Sequence, residues 1–373
     1  MAPNHLYLSD FHTILPEYIC SQEYGLKWLE KAHLFSAQGS TEIREAISRT
    51  IEKVCCKPSY IGQRGSALAD FTHTDWEQMT LYPLQDLPLG HGMGRRSEVY
   101  KQIVDTLFME FYPSKEEEPP ADLIHVTCTG YNCPSGAQTR VANLGWEKST
   151  SVTHAYHMGC MGAIKAIRMG CGFSRNSEAR TDIVHTEICT LHLNPSLHTA
   201  EQLVGESLFA DGFVKYSIKN SSQERAFLVE AFLDEMIPNS EKLMRWECKD
   251  WGFQMTLSKE IPVYITRAVK TFIERLDALR IKKECGARQP PLFAIHPGGP
   301  KIIDQIAKTL ELKEEQIAAT KKVFFERGNM SSSTLPHIWE AILNDDKIEK
   351  GREIISLAFG PGLTICGLLL SVT

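Results

Sequence analysis

The sequence predicts an α/β protein, because short runs rich in β-formers alternate along the chain with segments of helical period. Those runs are apolar on both faces, as strands are when helices cover each side of a sheet. Glycine and proline punctuate them. In Glu42–Val54, Ile43, Ala46, Ile47, Ile51 and Val54 recur at helical spacing. A second helix spans roughly 96–112 and stops at Pro113, and the charged, proline-bearing stretch 115–120 is a loop. Residues 123–129 and 150–158 then read as strands, the second interrupted by Gly159. From Cys160 the period changes to that of a helix, through Ala163, Ile164, Ala166 and Ile167, expected to end near Gly170 and Gly172.

Strand 182–188 follows, and the second half repeats the alternation. It has a helix at 260–283, a proline-bounded strand at 291–297, and a helix carrying Ile302, Ile303, Ile306 and Leu310. Ser331, Ser332 and Ser333 are expected to cap a helix with Ile338, Trp339, Ile342 and Leu343. The end folds as a hairpin about Gly360, Pro361 and Gly362. The boundary between two halves is placed at 232/233, with a linker over 232–240.

Composition narrows the function. The 373 residues are 43% hydrophobic and 23% charged with net charge −6, an ordinary globular profile without a basic field for nucleic acid or an anionic membrane. The N-terminus lacks a charged region followed by an apolar one, so it does not read as a signal peptide. The apolar stretch 363–372 is half the ~20 residues of a membrane span and reads as a core strand. Eleven cysteines, an odd number in a long chain, fit a reducing cytoplasm better than a disulfide framework.

Three side chains could carry chemistry. Cys160 sits between Gly159 and Met161 at a strand-to-helix junction, where a helix N-terminus favours the thiolate. His296 closes a strand before a Pro-Gly-Gly-Pro loop, where functional groups project from a rigid scaffold. Asn329 precedes a helix, and its amide could either cap that helix or donate to an oxyanion. Each alone has a bland alternative: a buried core thiol, a satisfied core imidazole, a cap.

Together they carry more. The segments GCMGAIKAI (159–167), VHTEI (184–188), LVGESLFADG (203–212), AIHPGGPKIIDQI (294–306), ERGNMSS (326–332) and AFGPGLTI (358–365) resemble the chalcone-synthase-like, or type III polyketide synthase, family over roughly 122–373. That resemblance implies a thiolase-like, five-layered αβαβα fold with two pseudo-symmetric halves (1–232 carrying the cysteine, 233–373 the histidine and asparagine) in a homodimer. It implies Cys160 as nucleophile, His296 as base and oxyanion partner, and Asn329 as second oxyanion donor. An acyl starter on Cys160 would be extended by decarboxylative condensation with malonyl-CoA and closed to a pyrone, resorcinol or related ring. Acyl-CoA thioesters are then substrates, and no metal or other cofactor is required.

The family pattern also implies a pocket. Phe209 falls on a gatekeeper position, Gly205 and Ser331 line the cavity, and the 359–362 loop shapes its floor. Departures concern starter choice. Met255 stands at the second gatekeeper and Trp246 at a glycine site; Cys128, Cys189 and His192 replace threonines, and Ala358 a glycine. Cys133 takes the place of a methionine that reaches into the partner's cavity. Lys53, Lys57, Arg64 and Lys301 are candidates for coenzyme A phosphates. His154, His157 and Cys160 have a metal-like spacing, but strand positions 154 and 157 point to opposite faces. Rival readings are a ketoacyl synthase III-like enzyme working on an acyl carrier protein, a papain-like hydrolase, and a non-catalytic subunit. The first lacks reason for the 296–300 and 359–362 segments, and the second for a mid-chain cysteine without papain-like surroundings.

Overall fold

The computed structural model describes residues 5–37, 39–177, 179–280 and 289–373. The first half runs β1 (Tyr7–Ile14), β2 (Tyr18–Ser21), α1 (Gln22–Ser36), α2 (Thr41–Val54), β3 (Gln63–Ser66), α3 (Met93–Phe111), β4 (Asp122–Thr127) and α4 (Gly136–Leu144). It continues with β5 (Ser151–Tyr156), α5 (Gly162–Ser177), β6 (Thr181–Glu187), α6 (Ala200–Leu208) and β7 (Gly212–Lys219). The second half holds β8 (Phe227–Met236), β9 (Met244–Lys249), β10 (Gly252–Leu257), α7 (Ile261–Ala278), β11 (Leu292–Ile295) and α8 (Pro300–Leu310). It ends with α9 (Glu314–Arg327), α10 (Thr334–Leu343), β12 (Glu353–Gly360) and β13 (Thr364–Val372).

Nine strands join in the order β11-β12-β13-β8-β1-β7-β6-β4-β5. The order contains one pattern twice. β4 lies parallel to β6, which is antiparallel to β7, itself antiparallel to β1. Likewise β11 lies parallel to β12, antiparallel to β13, itself antiparallel to β8. The halves meet at β1 and β8, which share only the pairs Tyr7↔Leu228 and Leu8↔Phe227.

Strand alternation turns this into layers. In β13, Cys366, Leu368 and Leu370 enter a central core while Ile365 and Leu369 enter an outer one. The central core takes Ala163, Ile164 and Ile167 of α5 and Leu335, Ile338 and Trp339 of α10, so these two helices are sandwiched between the half-sheets. On one outer face α1, α2 and α3 supply Trp28, Ile51 and Phe108; on the other α7, α8 and α9 supply Phe272, Ile303 and Phe324. The result is the thiolase-like αβαβα arrangement.

Several local expectations need correction. α5 runs past Gly170 and Gly172 to Ser177. A β-carbon at Gly170 would lie 2.6 Å from Ile218 Cδ1, so this glycine serves close helix-to-strand packing and is no stop signal. The 232/233 boundary and the start of the 232–240 linker fall inside β8, because that strand is needed to seam β13 to β1. Ser331–Ser333 form a 3₁₀ turn, and Ser333, at the N-cap of α10, makes no side-chain cap bond. The helix expected at 260–283 ends at Ala278, and 281–283 lie outside the described residues.

Desolvation keeps five of the buried histidines from taking up a proton. Burial holds His125, His192, His296 and His337 down to about 3, and His185 well below its ordinary value. The same cause raises three buried carboxyls, Asp182, Glu187 and Asp211. Below pH ~6.5 the unfolded histidines bind protons that the folded ones refuse, so stability falls as pH falls; the carboxyls act oppositely. The melting temperature should drop steeply from pH 7 to pH 5 in calorimetry. A flat profile would show that these histidines are protonated in the fold.

Candidate active site

Cys160 is delivered by a sharp reversal at the end of β5. His157 and Gly159 both take positive φ, 61° and 65°, and Gly159–Met161 form a 3₁₀ turn that runs into α5. A β-carbon at Gly159 would sit 2.6 Å from Pro361 Cδ, so only glycine lets the cysteine turn lie on the 359–362 loop. That loop closes the β12–β13 hairpin through the pair Gly360↔Thr364.

Cys160 is 7% exposed. Burial, with the charge of Glu187 behind it, pushes its thiol up to about 12. The sequence-based expectation of a depressed value is overturned, and magnitudes explain why. A helix terminus contributes at most about 2 kcal/mol, roughly 1.5 pKa units, whereas full burial moves a group by about 3–5 units. His296 follows β11 and is 1% exposed; its backbone N–H donates to Leu357 O at 2.8 Å. Neither ring nitrogen has a hydrogen-bond partner among the described residues, and burial holds the imidazole neutral. No hydrogen bond joins it to Cys160. Such buried, unmatched polar atoms cost about 1–3 kcal/mol each, which a structural histidine would avoid.

Asn329 is fixed on three sides. It bridges Phe209, its N–H donates to Leu208 O at 2.9 Å, and its O accepts from Ala210 N at 2.8 Å. Its Oδ1 accepts from Ser331 N at 2.9 Å, which leaves the amide N–H pair as the donor end. Behind this turn lies a polar lattice. Ser332 Oγ donates to Glu187 Oε1, while Glu187 Oε2 accepts from Cys128 N (2.9 Å) and Thr129 Oγ1 (3.1 Å). Ser332 Oγ also meets His185 Nδ1 at 3.0 Å.

In front of Cys160 lies a pocket open to solvent. Eight of the nine residues expected to form it do so: Cys128, Cys189, His192, Gly205, Phe209, Trp246, Met255 and Ser331. His296 and Asn329 stand outside its lining, and the 359–362 loop packs under Gly159 without reaching it. Trp246 and Met255 are directly paired across the β9–β10 hairpin, which explains why both face the cavity. Their wall is held firmly. Trp246 Nε1 donates to Cys128 O at 2.7 Å, and His192 Nε2 donates to Thr129 O at 2.8 Å while its Nδ1 accepts from Phe253 N at 3.1 Å. His192 stacks on Phe253 with ring centroids 4.5 Å apart.

Phe253, Glu201, Gln202 and Glu206 also line the cavity and were missed. Phe253 is two residues from Met255 on one strand face, and Glu201, Gln202 and Gly205 share a face of α6, so each period held the signal. Cys133 is exposed on the loop before α4 and does not line this chain's cavity. Among the coenzyme A candidates, Lys53, Lys57 and Lys301 are exposed. Arg64 is not free for phosphate: it donates to Gln22 Oε1, Glu206 O and Phe209 O, each at 2.7 Å, and is a strut beneath the cavity wall. His154 and His157 diverge, the first to Ser135 Oγ and the second to Trp246 O, each at 2.9 Å.

Comparison with known proteins adds an independent line. The model of the chalcone and stilbene synthase N-terminal domain matches residues 113–219, and that of the C-terminal domain matches 228–373. Type III polyketide synthase 21 of Oryza sativa is 29% identical over 266 residues, covering 68% of this chain and 67% of its own. A Bacillus subtilis protein named after chalcone synthase is 27% identical over 315 residues, 78% of this chain and 84% of that one. The C-terminal type III polyketide synthase domain of a Dictyostelium type I/III hybrid superposes with a TM-score of 0.83 at 22% identity, over 98% of this chain and 99% of that one.

The Gly159→Ala change should displace the Cys160 turn. Positive φ with a β-carbon costs about 1–3 kcal/mol, and the contact with Pro361 adds to it. The expected outcome is a lower melting temperature together with at least tenfold slower alkylation of Cys160 by iodoacetamide. Unchanged alkylation at unchanged stability would mean the turn tolerates a side chain.

Proposed function

The chain belongs to the chalcone and stilbene synthase family, and from that premise we propose how its residues run the family's condensation. It is a type III polyketide synthase, a decarboxylating acyltransferase that uses acyl-CoA and malonyl-CoA. In this reading Cys160 takes the acyl group, passing its proton to His296 as sulfur attacks the thioester. A neutral imidazole is the form that can accept that proton. Malonyl-CoA then loses carbon dioxide, and the enolate oxygen receives hydrogen bonds from His296 and from the Asn329 amide. The enolate carbon attacks the Cys160 thioester, and repeated rounds end in ring closure. The observation that carries the reading is the cavity itself: a buried thiol in its lining, on a turn that only Gly159 permits.

The cavity wall supports a preference for narrow starters. Trp246 and His192 are pinned by hydrogen bonds and by Phe253, so they yield little to a broad planar ring, while Met255 is flexible. Linear acyl starters giving pyrones or resorcinols fit this shape. Starters arrive as coenzyme A thioesters, with an acyl carrier protein the alternative donor, and Lys53, Lys57 and Lys301 are the phosphate candidates that remain. We assign a homodimer, with the exposed Cys133 loop turned toward the second copy. A reducing cytoplasm suits ten described cysteines that are all free. No described helix is long and apolar enough to cross a membrane.

Intact-protein mass spectrometry after starter treatment should show one acyl adduct on wild type and none on Cys160→Ala, whose decarboxylation persists; an adduct elsewhere overturns the assignment. Asn329→Ala should lower malonyl-CoA decarboxylation by about 100-fold while loading changes little. Equal losses would make Asn329 structural. Trp246→Gly should raise kcat/KM for aromatic starters relative to linear ones, and an unchanged ratio contradicts the wall argument.

A further inference from the structure

The hairpin that carries the starter wall stands apart from the nine-stranded sheet, since β9 and β10 form a two-stranded sheet of their own. Its position is set by its anchors and not by register with the main sheet. Trp246 is held twice. Its indole Nε1 donates to Cys128 O at 2.7 Å, and its backbone O lies 2.9 Å from His157 Nε2. Cys128 and His157 directly follow the paired strands β4 and β5, so two adjacent strand ends grip one residue of the wall.

His157 is an unusual residue for its place. Its φ is 61°, a conformation uncommon for any residue other than glycine. A carbonyl oxygen only accepts, so the hydrogen of the neutral ring is on Nε2. Nδ1 is then a bare lone pair, buried and without a hydrogen-bond partner among the described residues. Burial lowers the basicity of the ring and keeps it neutral. Glycine or asparagine would make the same turn with less strain. Neither would reach Trp246, because an asparagine amide ends about where Nδ1 stands. Reach is what histidine adds. Its ring packs on Tyr131 and Phe253, at centroid distances of 5.3 and 5.7 Å, which fixes the direction of the Nε2–H.

We propose that His157 is a positioning residue for starter choice: its Nε2–H holds the Trp246 carbonyl and so fixes the indole wall where it shuts out broad rings. This rests on the starter wall proposed above, and adds to it a residue outside the cavity lining. His157 stands two residues before Gly159, so the bond ties the wall directly to the turn that delivers Cys160. Its backbone N–H donates to Thr127 O at 2.9 Å, which fastens the latch to the end of β4. Without the latch Trp246 keeps only its indole anchor, and the hairpin can pivot on it.

The test separates a latch from a shape residue. His157→Asn accepts positive φ but ends short of Trp246, whereas His157→Gln carries an amide N–H to about the place of Nε2. Coenzyme A release is measured with hexanoyl-CoA and with coumaroyl-CoA as starter, and the readout is the ratio of the two kcat/KM values. A disturbance of Cys160 itself lowers both values and cancels; a freed wall moves the coumaroyl value alone. Expected for His157→Asn is a rise of about tenfold in the coumaroyl-to-hexanoyl ratio, carried by KM. His157→Gln should keep the wild-type ratio. In a Trp246→Gly background His157→Asn should change the ratio no further, because its effect runs through that residue. His157→Gly, with no β-carbon to strain, gives the same readout should Asn lower the melting temperature. A wild-type ratio in His157→Asn, alongside a shifted one in Trp246→Gly, overturns the latch. So does equal behaviour of the Gln and Asn variants, or additivity in the double variant. An unchanged ratio in Trp246→Gly would instead defeat the wall reading itself, and the latch with it.

Discussion

Desolvation of Cys160 is the constraint from which the rest of the site follows. The thiol is a buried part of the cavity lining, with the Glu187 charge beside it and the 359–362 loop against its turn. Burial of this extent outweighs any benefit from the start of α5, so both the thiol and the His296 imidazole rest uncharged. A neutral thiol is protected from indiscriminate reaction, and a neutral imidazole is a base in waiting. The thioester itself supplies the driving force, since attack and proton transfer occur together.

The scaffold makes that arrangement rigid by over-determining each part. Asn329 is clasped between Leu208 and Ala210, so the α6 end and the turn before α10 move as one. Ser332 joins Glu187 and His185 across the interface between halves. Arg64 ties the first half's β3 to the carbonyls of Glu206 and Phe209. The Asn329 and Ser332 contacts join both pseudo-symmetric units, which is why the site sits at their junction. The β9–β10 hairpin is attached differently, through Trp246, His192 and Phe253, and this detachable wall is where starter choice can change without disturbing chemistry.

Much of this was legible in the sequence. Residues 182–188 and 363–372 announced buried strands because both faces of their half-sheets are covered, and β6 and β13 are buried along their lengths. The cavity list came from a family resemblance and survived for eight positions, since short motifs keep their place on rigid elements. What failed did so for identifiable reasons. Gly170 looked like a helix stop because local propensity carries no knowledge of Ile218 on a distant strand. Arg64 read as a phosphate ligand because its charge is visible and its three oxygen partners, 42 to 145 residues away, are not. The Cys160 value was misjudged because the helix start is local while burial is a property of the whole fold.

The ionisation state of Cys160 before substrate arrives is the most direct measure of the account. Ultraviolet thiolate absorbance, taken as the difference between wild type and Cys160→Ala, can be titrated between about pH 6 and 9 without substrate. A thiol held near 12 gives no Cys160-dependent thiolate signal anywhere in that range. A full thiolate signal at pH 7 would establish a preformed ion pair with His296 and contradict the desolvation on which the mechanism is built.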